Sequence, residues 1–210
     1  MVDVATCPLD ELEPVPWKNG KGTTRELLIL PEDATLGGSF DVRLSIARIE
    51  RDAEFSTLKG VERIFTPLAG EPFALVHERF RDPIPQRIGE PYRFDGSWKT
   101  RAVDVTTPVD VLNVMLGSPR ATATVECLRA SGRPRRFPLD TDHAILVVYR
   151  GHARVRVSGE ETPLNLTCTA LWLSPESPAE EWILDTLTPN AQALLIAIRR
   201  HPPTPRLGED

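Results

Sequence analysis

The sequence predicts an all-β protein made of two small jelly-roll barrels that arose by duplication of one unit. Two observations lead there. The chain carries 20 prolines in 210 residues, and between them lie short runs rich in Val, Ile, Leu and Thr, a spacing that leaves no room for long helices. The other observation is an internal repeat. A shift of 81 residues lays ERIFTPLAGEPFALV, from Glu62, over HAILVVYRGHARVRV, from His143. Ile64 then meets Ile145, Gly70 meets Gly151 and Val76 meets Val157, and further on Asp104, Thr107 and Pro108 meet Asp185, Thr188 and Pro189. Each half has the same cadence of strand, Gly turn, strand, Pro-rich stretch and two more strands.

The elements follow from local patterning. In FDVRLSIARI, Phe40, Val42, Leu44 and Ile46 alternate with Asp41, Arg43, Ser45 and Ala47, which predicts a strand with one dry face. TTRELLIL, ERIFTPLAG, PFALVHER, TRAVDV, VDVLNVML, ATVECLRA, HAILVVYRG, HARVRVSG, AEEWILDTL and AQALLIAIR read as further strands. A helical turn is expected only near Asp52–Leu58. Units of roughly eighty residues with a Gly at the first hairpin suit a cupin-type barrel, and two make a bicupin. The expected boundaries are 1–118 for the first barrel, with an N-terminal arm running to about Leu30 and adding strands, then 119–201 for the second barrel and 202–210 for a tail too polar to pack.

Composition excludes several classes. No apolar run approaches the ~18 residues of a membrane span, and the acidic start MVDVATCPLDELEP lacks the layout of a signal peptide. Cys7, Cys127 and Cys168 have no CxxC spacing and leave an odd thiol, against a disulfide framework. Net charge is −5, from 25 Lys and Arg against 30 Asp and Glu, so nucleic acid is not an expected partner. A soluble, cytoplasmic protein with no membrane partner is predicted.

No chemical motif of a common enzyme class is present. His77, His143, His152 and His201 are isolated, without the HxH spacing of a metal-binding cupin, so neither metal nor other cofactor is expected. There is no GxSxG, P-loop or GxGxxG, and no catalytic residue can be named. The segment from Trp17 to Glu26, WKNGKGTTRE, is different. Its glycines allow close backbone approach, and around them stand an aromatic ring, ammonium groups, an amide, hydroxyls and a guanidinium, an inventory that fits a small anion. Asn113 is the one polar residue in VLNVML and, if buried, must be hydrogen-bonded. Its repeat counterpart is read as Leu194, that of Arg63 as Ala144 and that of Arg43 as Thr124. This asymmetry puts the expected site in the first barrel.

PWKNGKGTTREL, FDVRLSIARI, FSTLKGVERIFTPLAGE, YRFDG and PVDVLNVM resemble, in that order, the signatures of the HutD/Ves family, over residues 16–117. Two positions depart from the pattern: Lys21 replaces the middle Gly of a triplet, and the segment before Asn113 lacks its usual Arg. The resemblance implies a bicupin without a metal triad, associated with histidine utilisation and binding a small pathway acid such as formylglutamate as a governor of flux. Matched residue by residue, it implies a pocket of Trp17, Lys18, Asn19, Thr24, Arg25, Glu26, Arg43, Ser45, Arg63, Asp95 and Asn113.

Three readings of function stay open at this stage. In the first, the protein is a non-catalytic, small-carboxylate-binding regulator whose partner is a small organic acid. In the second, it is a metal-free lyase or isomerase using Glu26 or Asp95 as base. In the third, it is an interaction protein without a ligand. Pairing of two copies as a homodimer is compatible with each.

Overall fold

The computed structural model describes residues 4–35, 38–130, 133–138, 141–158, 163–173 and 181–201. They form strands without helices. In the first half these are β1 (Val4–Pro8), β2 (Val15–Pro16), β3 (Gly22–Leu30), β4 (Val42–Ile49), β5 (Ala53–Glu54), β6 (Glu62–Ala69), β7 (Phe73–His77), β8 (Ile84–Gln86), β9 (Tyr92–Asp95), β10 (Thr100–Val103) and β11 (Val109–Leu116). In the second half follow β12 (Ala121–Leu128), β13 (Arg135–Pro138), β14 (His143–Arg150), β15 (Ala153–Val157), β16 (Leu164–Leu166), β17 (Thr169–Leu173), β18 (Glu181–Leu187) and β19 (Gln192–Arg200). The expected turn of helix near Asp52–Leu58 is instead the short strand β5 and extended chain. Among the described residues no helix is long and apolar enough to cross a membrane.

Sheet order displays the duplication. The first unit pairs a sheet β2-β3-β4-β11-β6-β9 with a sheet β5-β10-β7-β8, and the second pairs β1-β17-β14-β19-β12 with β13-β18-β15-β16. Without β1, β2 and β3 the orders coincide: β4-β11-β6-β9 repeats as β12-β19-β14-β17, and β5-β10-β7-β8 as β13-β18-β15-β16. β6 and β14 begin and end 81 residues apart. Gly70 and Gly151 close the same hairpin, both with positive φ (119° and 79°). Even the irregularity is copied, because β6 and β14 each bulge against their central partner, at Leu68 and at Tyr149. The sheets of each unit face each other without closing into a cylinder.

Register refines the repeat at its last strand. Asn113 pairs with Phe65, while Leu146, the counterpart of Phe65, pairs with Leu195. The structural counterpart of Asn113 is therefore Leu195, not Leu194, which lies on the opposite face of its strand. The arm also divides between the units. β3 extends the first unit beside β4, whereas β1 crosses to the second and pairs with β17.

Alternating residues of the strands feed separate cores. Phe65, Phe73, Leu75, Phe94 and Val111 fill the first unit, and Phe137, Leu146, Val155, Trp182 and Leu184 fill the second. A larger core lies between the units, where the six- and five-stranded sheets pack face to face: Val42, Leu44, Ile46, Leu112, Val114 and Ile64 meet Ile145, Val147, Leu194, Ile196 and Ile198. β4 is thus buried on both faces. Its face bearing Arg43 and Ser45, at 7% and 0% exposure, turns into the first unit and not toward water.

Gly70 is fixed by both conformation and space, since a Cβ there would lie 2.5 Å from Val109 Cγ1. Gly20 shares the left-handed conformation (φ 64°) but has open space around it. Gly70→Ala is expected to lose roughly 2–4 kcal/mol of stability in urea unfolding, and Gly20→Ala only about 1 kcal/mol.

Candidate ligand-binding site

The rungs of the six-stranded sheet build the site. On the face turned into the first unit, Glu26, Ser45, Asn113 and Phe65 lie side by side on one rung of β3, β4, β11 and β6. The next rung carries Arg43, Met115, Arg63 and Phe94. The side chains join accordingly. Arg43 Nε donates to Glu26 Oε2 at 2.7 Å and Arg43 Nη1 to Ser45 Oγ at 3.4 Å. Arg63 Nε donates to Asn113 Oδ1 at 3.4 Å, the partner that a buried Asn113 requires. The Arg63 guanidinium also lies over the rings of Phe55 and Phe94, 5.1 and 5.2 Å from their centroids. This polar belt sits between two apolar plugs, the first unit's core on one side and Phe40, Val61 and Met115 on the other.

Charge within the belt is unbalanced. Arg43 and Arg63 are both buried, and among the described residues only Arg43 has a carboxylate partner. Burial, and secondarily the neighbouring Arg43 guanidinium, pull the Arg63 pKa down to about 10, which still leaves it charged at neutral pH. Its two terminal nitrogens bond nothing among the described residues. They form an open fork of the geometry that grips a carboxylate.

The remaining expected residues divide. Trp17 Nε1 donates to Thr24 Oγ1 at 2.7 Å, and its ring meets Phe55 edge-on, so both line the end of the same interior. Asn19 ties the loop together: its Oδ1 accepts from Lys21 N at 3.1 Å, and its Nδ2 donates to Glu54 O at 3.5 Å, across to the four-stranded sheet. Lys18 is exposed. Arg25 does not join the cluster. It alternates to the other face of β3, where its Nε donates to Leu12 O. Asp95 is likewise apart, exposed and held in a turn where it accepts from Ser97 N at 2.8 Å, a bond that lowers its pKa. Asp95 instead borders a surface cavity of about 380 Å³ lined by Gly60, Val61, Glu62, Arg93, Phe94 and Asp95.

His77 is a part of this interior that sequence reading passed over. It is fully buried on β7 among Phe80, Tyr92, Phe94 and Trp98. Thr100 Oγ1 donates to Trp98 O, so it accepts from His77 Nδ1, 2.8 Å away; Nε2 is then the acceptor for the Tyr92 hydroxyl at 3.2 Å. Burial first, then Arg63 and Arg79, lower its pKa. The signal was available as a period of two, since Phe73, Leu75 and His77 share a face.

Comparison with known proteins agrees with this architecture. The family model HutD matches residues 9–189. An uncharacterized 21.2 kDa protein from the hutC 3' region of Pseudomonas putida is 44% identical over 63 residues, 30% of this chain and 32% of that one; the aligned part thus spans about a third of that relative. HutD from Pseudomonas fluorescens SBW25, solved in a formate condition, superposes with a TM-score of 0.77 at 21% identity, covering 95% of this chain and all of that one. A cupin 2 conserved barrel domain protein from Leptotrichia buccalis superposes at 0.59 with 12% identity, covering 95% and 98%. The fold is a bicupin.

Two outcomes are expected from this geometry. Asn113→Leu strands the Arg63 Nε–H in a dry site and should cost about 1–3 kcal/mol, whereas adding Arg63→Ala, the residue the second unit has there, should recover most of that loss in chemical denaturation. Because folding lowers the His77 pKa below its ordinary 6.5, the unfolded chain takes up that proton more readily. Stability held above pH 6.5 should therefore fall as pH drops below it, and His77→Gln should flatten that part of the melting-temperature profile.

Proposed function

The chain belongs to the HutD family, and from that premise we propose that it is a non-catalytic, cytoplasmic binder of a small carboxylate, formylglutamate-like, that regulates histidine utilisation. The observation that carries this reading is the open fork of Arg63: a buried cation with free terminal donors, next to a second guanidinium whose charge Glu26 already offsets. Burying an ion unpaired costs several kcal/mol, on the order given by desolvation. The second unit has Ala144 and Thr124 at the positions of Arg63 and Arg43, so the fold itself has no need of the pair. A ligand carboxylate would supply the missing charge and accept both fork hydrogens at once.

The link to histidine utilisation draws on the relative encoded in a hutC 3' region and on the family's name. A regulator needs only to bind, and no nucleophile–base pair stands among the belt residues.

Arg63→Lys is expected to keep the charge but lose the two-pronged grip, weakening formylglutamate binding by about 1–3 kcal/mol in titration calorimetry. Equal affinity in the two proteins would remove the reading's main support. Turnover of the acid, followed by NMR, would move the protein to the enzymes.

A further inference from the structure

We infer that Glu26 makes the site selective for a single negative charge, so that it takes a monocarboxylate group and turns away a short dianion. This rests on the carboxylate reading above and adds to it the charge class of the ligand and the residue that sets it. The belt holds two cations, Arg43 and Arg63, against one anion, Glu26, which leaves one positive charge to be balanced. The donors are apportioned in the same way. Glu26 takes Arg43 Nε and Ser45 receives one Arg43 terminal nitrogen; Asn113 takes Arg63 Nε, so the Arg63 fork is the one guanidinium of the belt with both terminal nitrogens left for a carboxylate, while Arg43 keeps a single terminal nitrogen over.

Position makes Glu26 a filter as well as a counter-ion. Its side chain is 45% exposed while that of Arg43 is 9% exposed, so Glu26 is the member of the belt that stands at the water. An anion that settles on Arg63 meets a belt whose other guanidinium Glu26 already neutralises, so a second charge carried in beside the first is desolvated without a counter-charge, at a cost. A second charge that can stay in solvent, at the far end of a longer acid, escapes most of that cost. A second charge one carbon away cannot.

The test uses acetate and malonate as probes, at a pH where malonate carries both charges, with titration calorimetry on the wild type, Glu26→Gln, Glu26→Asp and the double variant Glu26→Gln/Arg43→Gln. The wild type should bind acetate at least about tenfold more tightly than malonate. Glu26→Gln, which keeps an acceptor for Arg43, should shift that ratio at least about tenfold toward malonate. Glu26→Asp keeps the charge and should keep the preference, and the double variant, back to one net positive charge, should restore it. A folded Glu26→Gln protein with the wild-type ratio, or a wild type that prefers malonate, overturns this inference alone. A wild type that binds neither acid overturns the carboxylate reading, and this inference with it.

Discussion

Everything else in the molecule is conditioned by one packing arrangement, the two large sheets pressed face to face between the units. It removes from water the face of β4, β11, β6, β14 and β19 that an isolated sandwich would solvate. The central strands β4, β6 and β11 of the first unit therefore have two dry faces. Thr66 Oγ1 on β6 has no partner among the described residues, but a polar side chain on these strands otherwise depends on partners inside the protein. That holds for Arg43, Ser45, Asn113 and Arg63 on the inner face. It holds equally at the ends of the interface between units, where Asp110 accepts from Tyr149 at 2.6 Å and from Arg48 at 3.2 Å, and where the buried Asp41 accepts from Arg120 and Arg200. The Tyr149–Asp110 bond and the two Asp41 contacts run between the halves and hold β11 and the chain entering β4 to the second unit. Arg93, which reaches Glu62 and the carbonyl of Ala123, does the same beside β9.

Duplication gives the molecule its own control. Two copies of one topology differ at the same rungs: Arg43, Arg63 and Asn113 in one, Thr124, Ala144 and Leu195 in the other. The apolar copy shows what the fold needs, and the polar copy carries groups that burden it. The Tyr149–Asp110 bond obeys the same logic. Tyr149 is the bulged residue whose counterpart is Leu68, and burial together with the Asp110 carboxylate drives its pKa far upward. The bulge position faces the other unit in both copies, and only one copy uses it for a hydrogen bond. The second unit thus contributes a wall and anchors, and the first carries the belt of buried polar groups.

Much of this was legible in the sequence. The period-two runs and the shared offset of 81 residues found most of the longer strands and the duplication. The strands missed have physical reasons. β17 (TALWL) has Leu171 in the second unit's core and Ala170 in the core between the units, so two buried faces erase its alternation. β1 is held by pairing with β17 and by Leu9 packing, neither of which a local pattern reveals. The alternation in FDVRLSIARI is legible as a strand with one dry face, but it does not show that the face bearing Arg43 and Ser45 is dry as well. Periodicity separates two faces without saying what each one touches. Arg25 and Asp95 illustrate the same limit: one alternates to the wrong side of β3 and the other is spent on a turn. His77 was discounted as an isolated histidine because its partners Thr100 and Tyr92 come from other strands.

Lys21 shows how geometry settles a question that a motif can only raise. A lysine within a glycine triplet should strain the backbone only if that position needs a left-handed conformation or lies against a neighbour. Neither applies. The left-handed residue is Gly20, with φ of 64°, and the crowded one is Gly22, where a Cβ would lie 2.3 Å from the Arg48 carbonyl oxygen and 3.2 Å from the Trp17 ring. Lys21 has an ordinary φ, donates its N–H to Asn19 Oδ1 and accepts from Glu50 N at its carbonyl. The loop therefore keeps the path that seats Trp17 against Phe55 and Thr24. Among the described residues the Lys21 ammonium makes no bond or ion pair with the belt, where Arg43 pairs with Glu26 and Arg63 with Asn113.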